Sequence, residues 1–418
     1  MLRGESLGLA FNITKRAADV APENAAAFHN IGKIYHEVQK DAEADEYFRK
    51  AVKIKPSFAA SLEGLGMSAL HRADWDECIS YSNRALAEDP DSVDARVNRG
   101  MAYLAKKRWR EGWRDYEANL GREKNRVELS YADTPRWDGS KGKDVVVYGE
   151  QGIGDEISFA SCLPELIRDS KSVTIECDKR LLPLFKRSFP GCEVYGTRYK
   201  SDRSALENRR FDGKVAMGGL PAFYRLKDEA FHGRPYLTPN PVMQEGWKAI
   251  LASLGPKPKI GITWTGGIPK TGQYRRSVSL DTYAPLFKAI DADWISLQYK
   301  DYEGIPEAEA KYGVKIHEFD WGTRYYDYDQ TVALISQLDL VISVCTTVVH
   351  AAGAIGKETW CLVPQVPMWR YLESGEWFPW ASSVTLYRQK GKEWPTGILL
   401  GKLKDKFPQS VIRKQEAA

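Results

Sequence analysis

The chain has 418 residues, 43% of them apolar and 28% charged, with a mean hydropathy of -0.46, enough for two or three domains that each bury a core. Lys and Arg (60) barely exceed Asp and Glu (56), and residues 1–120, with 18 basic and 19 acidic side chains, leave the small excess to the remainder; that excess is too slight to announce a nucleic-acid binder, which usually shows a concentrated basic face, and it leaves room for a local basic channel. Six cysteines without a CxxC pair argue against a disulfide framework or thiolate zinc site, and an N-terminal apolar run of residues 7–11, with no 18-residue apolar stretch elsewhere, leaves the cytoplasm as the expected compartment.

In the first third, Pro22, Pro56 and Pro90 recur every 34 residues, as do Gly32, Gly66 and Gly100. This is the period of tetratricopeptide (TPR) helix pairs. In the fullest unit the small residues Gly32, Ala44 and Ala51 let the paired helices approach, Tyr35 and Phe48 fill the space between them, and Pro56 stops the second helix. A second unit carries Leu62, Gly66, Cys78, Ala85 and Pro90, a third Gly100, Tyr103, Gly112 and Tyr116, and residues 3–22 resemble the second helix of a truncated first unit. The expected array, residues 1–121, therefore holds about three and a half units. Such a short stack is either a groove for a peptide or partner protein or a packed extension that stabilises the rest of the chain.

Residues 122–143 lose the repeat in charged and turn residues and are expected to be a linker. Beyond them strands and helices alternate, which predicts parallel sheets with crossover helices. The first series has strands at 144–148, 173–177 and 192–195 with helices at 156–168 and 181–189, and residues 200–240 carry no clear pattern. After a polar helix at 244–254, a second series predicts strands at 259–264, 294–298, 340–344 and 359–363, with helices near 280–290, 331–338 and 347–354. Two such series imply two Rossmann-like lobes, residues 144–243 and 244–418, facing a cleft.

Ligands of parallel sheets sit beyond the carboxyl ends of the strands, which singles out GEQGIGDE (149–156), TGGIPKTGQYRRS (265–277), SLQY (296–299) and SVCTTVVHAAG (343–353). The first loop holds only part of a dinucleotide fingerprint: Gly152 and Gly154 are present, but Ile157 occupies the third glycine position, although Glu176 lies about 20 residues on. Asp155 is either a favourable charge at a helix start or a general base at the cleft mouth. The loop around Thr346 and Thr347 opens a helix whose backbone N–H groups suit an anion. His350, one turn further, reads by itself more readily as a hydrogen-bonded structural histidine than as a catalyst. Lys270, Arg275 and Arg276 are either a solvated basic run or phosphate ligands, and Asp327-Tyr328-Asp329 is a DxD by letters that reads more readily as a helix start than as a metal site.

Taken together, PRWDGS, GEQGIGDEISFASCLPEL, GITWTGG, RRSVSL, SLQ, TVALISQLDLVIS and VVHAAGAIGKETWCLVP occur in an order that resembles bacterial TPR proteins whose C-terminal part belongs with glycosyltransferase family 9, the heptosyltransferase-like enzymes, distant architectural relatives of the O-GlcNAc transferases. The resemblance implies a TPR array followed by a GT-B fold, with the nucleotide-sugar donor held by the C-terminal lobe and neither cofactor nor metal required. It assigns Asp155, with Gln151, Gly152 and Gly154, to the acceptor-side loop as the base. Donor and phosphate binding fall to Arg276, Thr346, Thr347, His350 and Gln298, with Thr265 and Gly266 at the strand end. Two departures stand out: Cys345 where relatives usually carry Asp, and Gln330 in place of a second acid.

The expected reaction is an inverting, metal-independent transfer from a nucleotide sugar to an acceptor hydroxyl. The TPR array points to a protein or peptide hydroxyl as the acceptor, and a glycan, a lipid-linked sugar or a modified nucleic-acid base is also compatible with this charge. The alternatives are a scaffold whose TPR array binds a partner beside a degenerate GT-B part, and a nucleotide-sugar epimerase.

Overall fold

The computed structural model describes residues 2–121, 126–198, 202–267, 272–300, 304–324 and 327–412, with backbone alone for 2–7. Lys270 and the first four positions of the expected linker, 122–125, lie outside the described residues. The chain divides into two compact units, Met1–Asn125 with Val366–Glu373, and Arg126–Gln365 with Ser374–Ala418.

Among the described residues the first unit stacks seven α-helices: α1 (Leu2–Val20), α2 (Ala25–Glu37), α3 (Asp41–Ile54), α4 (Ala59–His71), α5 (Trp75–Glu88), α6 (Val93–Ala105) and α7 (Trp109–Tyr116). The period appears in the backbone as well as the side chains, because Gln39, Ala73 and Lys107, one per turn within each pair, all take a left-handed φ near 60°. Packing explains the glycines. A Cβ at Gly32 would lie 2.7 Å from the Phe48 ring and one at Gly64 2.8 Å from the same ring, so Phe48 of α3 is received by glycines on the two neighbouring helices. Ala44, Ala51 and Cys78 are fully buried, as the repeat pattern requires. The segment Val366–Glu373, expected within the C-terminal lobe, belongs to this unit instead. Trp369 sets its ring edge-on against both Trp113 and Tyr116, each at 5.6 Å between centroids, and the Glu373 N–H donates to the Ala105 carbonyl at 3.0 Å.

In the second unit, β1 (Asp144–Tyr148), α8 (Ile153–Phe159), α9 (Leu163–Asp169), β2 (Ser172–Glu176), α10 (Leu182–Ser188), β3 (Glu193–Tyr195), α11 (Ser204–Glu207), β4 (Gly213–Ala216) and α12 (Pro221–Tyr224) form the first lobe. Its parallel sheet has the order β3-β2-β1-β4. The expected helix at 156–168 starts earlier and is split by a tight turn at residues 160–162, where Pro164 begins α9. β4 falls in the stretch that showed no pattern.

The second lobe contains α13 (Pro241–Ser253), β5 (Lys259–Thr263), α14 (Ala284–Phe287), β6 (Asp293–Ser296), α15 (Ile305–Tyr312), β7 (Ile316–His317), α16 (Asp320–Thr323), α17 (Tyr328–Ser336), β8 (Leu340–Val344), α18 (Thr347–Ala354), β9 (Thr359–Val363), β10 (Val384–Arg388) and α19 (Thr396–Lys406). Six parallel strands run in the order β10-β9-β8-β5-β6-β7. β5 and β8 are buried along their whole length, as the central strands of a doubly covered parallel sheet must be. The helix expected at 280–290 shrinks to a 3-10 turn and the four-residue α14, which has Pro285 in its first turn. Two parallel-sheet lobes after a helical repeat are the architecture the sequence predicts.

The expected linker is corrected from residue 126 onward. Arg126 and Tyr131 are almost completely buried, and residues 135–137 lie along β4, exchanging backbone hydrogen bonds of 2.8 Å with Lys214. The segment therefore extends the sheet edge. Sequence reasoning missed it because the pairing uses backbone groups and no alternating side-chain pattern.

Candidate functional site

The loop after β1 is held from beneath by buried ion pairs. A Cβ at Gly149 would lie 2.3 Å from the Glu156 carboxylate, so glycine there lets Glu156 fold back under the loop. Glu156 contacts Arg198 Nε at 2.5 Å and accepts the Asp178 N–H at 2.9 Å. Arg198 also reaches Asp178 and donates to the Gln151 carbonyl. Glu150 accepts from Arg126 Nε at 2.9 Å, from Gln151 Nε2 at 3.0 Å and from the Gly218 N–H at 3.2 Å. Burial pushes the Glu156 carboxyl up to about 8 against the pull of Arg198. Asp178 goes the other way: burial raises it, but Arg180, the Arg180 N–H and Arg198 outweigh burial and hold it well below the usual carboxylate range. Arg198, Arg180 and Asp178 gave no signal in the sequence, where isolated charges look solvated.

At the start of α8, Asp155 Oδ2 accepts the Gly152 N–H at 3.2 Å and the Asp155 N–H donates to the Gly152 carbonyl at 2.9 Å. The side-chain contact satisfies the reading of Asp155 as a helix-start charge and fixes its orientation. Gly154 meets the other lobe: a Cβ there would sit 3.1 Å from Thr347 Oγ1 and 3.4 Å from His350 Cδ2. Close by, Ser158 Oγ lies 2.7 Å from His350 Nδ1 and 3.0 Å from the Gly154 carbonyl. Both contacts are satisfied when the serine hydroxyl donates to the carbonyl and His350 Nδ1–H donates to the serine. His350 thus contributes a contact between lobes, and its ring packs on Phe378 at 5.8 Å.

At the start of α18, Thr346 Oγ1 accepts the Val348 N–H at 3.1 Å, and the Thr347 hydroxyl hydrogen-bonds Tyr328, whose phenol burial pushes up to about 12. Across from them the β5 loop is built on glycines. A Cβ at Gly266 would meet the Cys345 carbonyl at 2.9 Å and Thr346 Cγ2 at 3.3 Å, and one at Gly267, where φ is +80°, would strike the Arg276 guanidinium at 2.2 Å. Arg276 therefore lies over Gly267, close to Thr346. Gln298 sits beneath the loop and is 3% exposed. Its Oε1 accepts the N–H groups of Trp264 and Thr265 at 3.1 and 3.2 Å and its Nε2 donates to the Lys300 carbonyl. Its side chain thus braces the β5 loop from beneath.

The departures from the resemblance have packing roles. Cys345 is buried, its Sγ 3.9 Å from Cys361 Sγ and 3.6 Å from the Leu362 carbonyl. Gln330 Oε1 accepts the Trp247 indole N–H at 2.9 Å, tying α17 to α13. In the DxD, Asp327 caps α17 and the buried Asp329 pairs with Arg187 of the first lobe.

The tetratricopeptide repeat family model matches residues 25–58. The first unit is a TPR array. Over 396 residues the chain is 27% identical to protein FlbA of Caulobacter vibrioides, covering 90% of this chain and 66% of that protein, slightly under two thirds of the relative's length. The TPR array is similar to the solved structure of MamA protein (21% identity, 28% of this chain and 63% of that one, TM-score 0.26). The α/β unit is similar to a glycosyl transferase family 9 protein of Veillonella parvula (11% identity, 66% of this chain and 93% of that one, TM-score 0.43).

Proposed function

We propose that the α/β unit is a glycosyltransferase that moves a sugar from a nucleotide-sugar donor to an acceptor hydroxyl with inversion, and that the TPR array recruits a protein or peptide acceptor. One observation carries the reading: the first turn of α8, bearing Asp155, abuts the first turn of α18, and Arg276 lies beside Thr346 across Gly266 and Gly267. The start of α8, which carries a carboxylate, and the start of α18 thus lie side by side where the lobes meet, and this supports the reading.

In the proposed step Asp155 takes the proton of the acceptor hydroxyl, whose oxygen forms a bond to the anomeric carbon. The bond from that carbon to the diphosphate oxygen breaks, and its electron pair leaves with the nucleoside diphosphate. Arg276 and the backbone N–H groups opening α18 offset the charge gained by the leaving group. The Gly152 N–H bond and the Arg198 network beneath the loop hold the base in place.

Purified full-length protein offered a panel of nucleotide sugars should hydrolyse or transfer at least one. Asp155→Asn keeps an oxygen for the Gly152 cap and removes the base, so turnover should fall by roughly 10²-fold or more while nucleoside diphosphate binding, followed by calorimetry, persists. Undiminished turnover removes Asp155 from the role, and absence of binding to uridine, adenosine and guanosine diphosphates favours the scaffold reading. Products formed without an acceptor distinguish epimerisation. Among the described residues no helix is long and apolar enough to cross a membrane.

A further inference from the structure

The TPR array holds a chemical constellation of its own. His36 lies in the last turn of α2, Asp41 is the first residue of α3, and His71 is the last residue of α4. Stacking of successive units brings them together, since His36 and His71 end the first helices of adjacent pairs. Asp41 Oδ1 lies 3.3 Å from His36 Nδ1 and 3.3 Å from His71 Nδ1, and one ligand atom from each residue falls within 4.8 Å of the others. The two imidazoles stack at 5.3 Å, 26° from parallel.

We propose that His36, Asp41 and His71 bind a divalent transition-metal ion of the zinc class, clipping the first full repeat to the second. Four arguments support the site. Metal–ligand bonds of about 2.0–2.1 Å in a tetrahedron place ligand atoms about 3.3 Å apart, which is the separation found on both edges that include Asp41. Two imidazoles and one carboxylate suit zinc better than magnesium or calcium, and a water completes the fourth position. His36 Nδ1 is buried and makes no hydrogen bond despite its closeness to Asp41; a lone pair so placed is satisfied by a metal. Finally, the carboxyl ends of α2 and α4 converge there, and their partial negative charge favours a cation.

The neighbouring cations do not oppose it. Arg72 is paired with Asp45 and Glu77, and Arg49 with the same two carboxylates, so two positive and two negative charges cancel beside the site. In a repeat array, where stability is the sum of intrinsic and nearest-neighbour terms, a clip between adjacent units acts on the interface that holds the N-terminal end in register.

The test uses the full chain stripped with EDTA and dialysed. Zinc chloride should bind one ion per chain by calorimetry and raise the melting temperature of the repeat, and cobalt(II) should give the visible absorption of a tetrahedral site. His36→Gln and His71→Gln, both at half-buried positions, should keep the circular dichroism spectrum of the parent and weaken zinc binding by about 10²-fold. Absence of stoichiometric binding overturns the proposal. So does a zinc-induced shift that is unchanged in the double variant, since the ion would then be held elsewhere.

Discussion

Ser158 Oγ lies 2.7 Å from His350 Nδ1, so the first helix of one lobe is hydrogen-bonded to the helix that follows β8 of the other. Both residues are buried. Ser158→Ala leaves the imidazole N–H without its acceptor, and a buried polar group so stranded costs about 1–3 kcal/mol. The unfolding transition of the α/β unit should move to lower temperature, while the repeat, followed by tryptic sensitivity, is unaffected.

The aspartates of the DxD are committed elsewhere, one to a helix cap and one to Arg187. Turnover with a competent nucleotide sugar should therefore be the same with EDTA as with magnesium. Asp329→Asn should destabilise the α/β unit by about 1–3 kcal/mol, because it weakens charged hydrogen bonds to an arginine that keeps some access to water. Activity lost to EDTA and restored by magnesium would return the DxD to metal binding.

Acidification should weaken the repeat. Burial, assisted by Lys33, lowers the pKa of His29 from 6.5 to about 4, and His29 Nδ1 lies 3.0 Å from Ser61 Oγ of α4. Its folded pKa is depressed, so the unfolded chain takes up the proton first: the stabilisation is complete above pH 6.5, declines below it and is gone near pH 4. Melting curves across this window should fall more steeply with acid for the parent than for His29→Gln.

Gly100→Ala should be more damaging than its size suggests. The added Cβ would lie 2.8 Å from the Tyr116 backbone nitrogen and 3.0 Å from Asp115 Cβ, and backbone cannot swing aside as a side-chain tip can. Overpacking of this kind costs about 1–3 kcal/mol, measurable as a lower urea midpoint for the repeat. Gly8→Ala, where nothing lies within 4 Å, is the control.

The repeat was legible because its period fixes several contacts at once: Gly32, Phe48, Ala44 and Ala51 are identifiable from spacing alone, and each occupies the packed position that spacing implies. The strand-end loops were legible because a parallel sheet always opens there. β4 was not, since GKVA is only four residues long and starts with glycine. The support beneath Asp155 was hidden for another reason. Glu156, Asp178 and Arg198 are ionisable residue types, and only tertiary proximity tells a buried cluster of them from solvated side chains. Cys345 and Gln330 looked like losses at a ligand site, whereas their partners, Cys361 and the Trp247 indole, belong to the packing of the lobe.

The short segment that brings Trp369 against Trp113 and Tyr116 bears on how the protein is made. During synthesis the seven helices emerge first, yet their last pair lacks its tryptophan wedge and the Glu373 N–H bond until some 250 further residues have left the ribosome. The apolar end around Trp113 is then open for the time it takes to translate most of the α/β half, at roughly 5–20 residues per second. A gene fragment ending at residue 125 would remain in that unfinished state, so the excised array should be the more aggregation-prone form, and a peptide spanning 366–373 supplied in trans should restore its solubility.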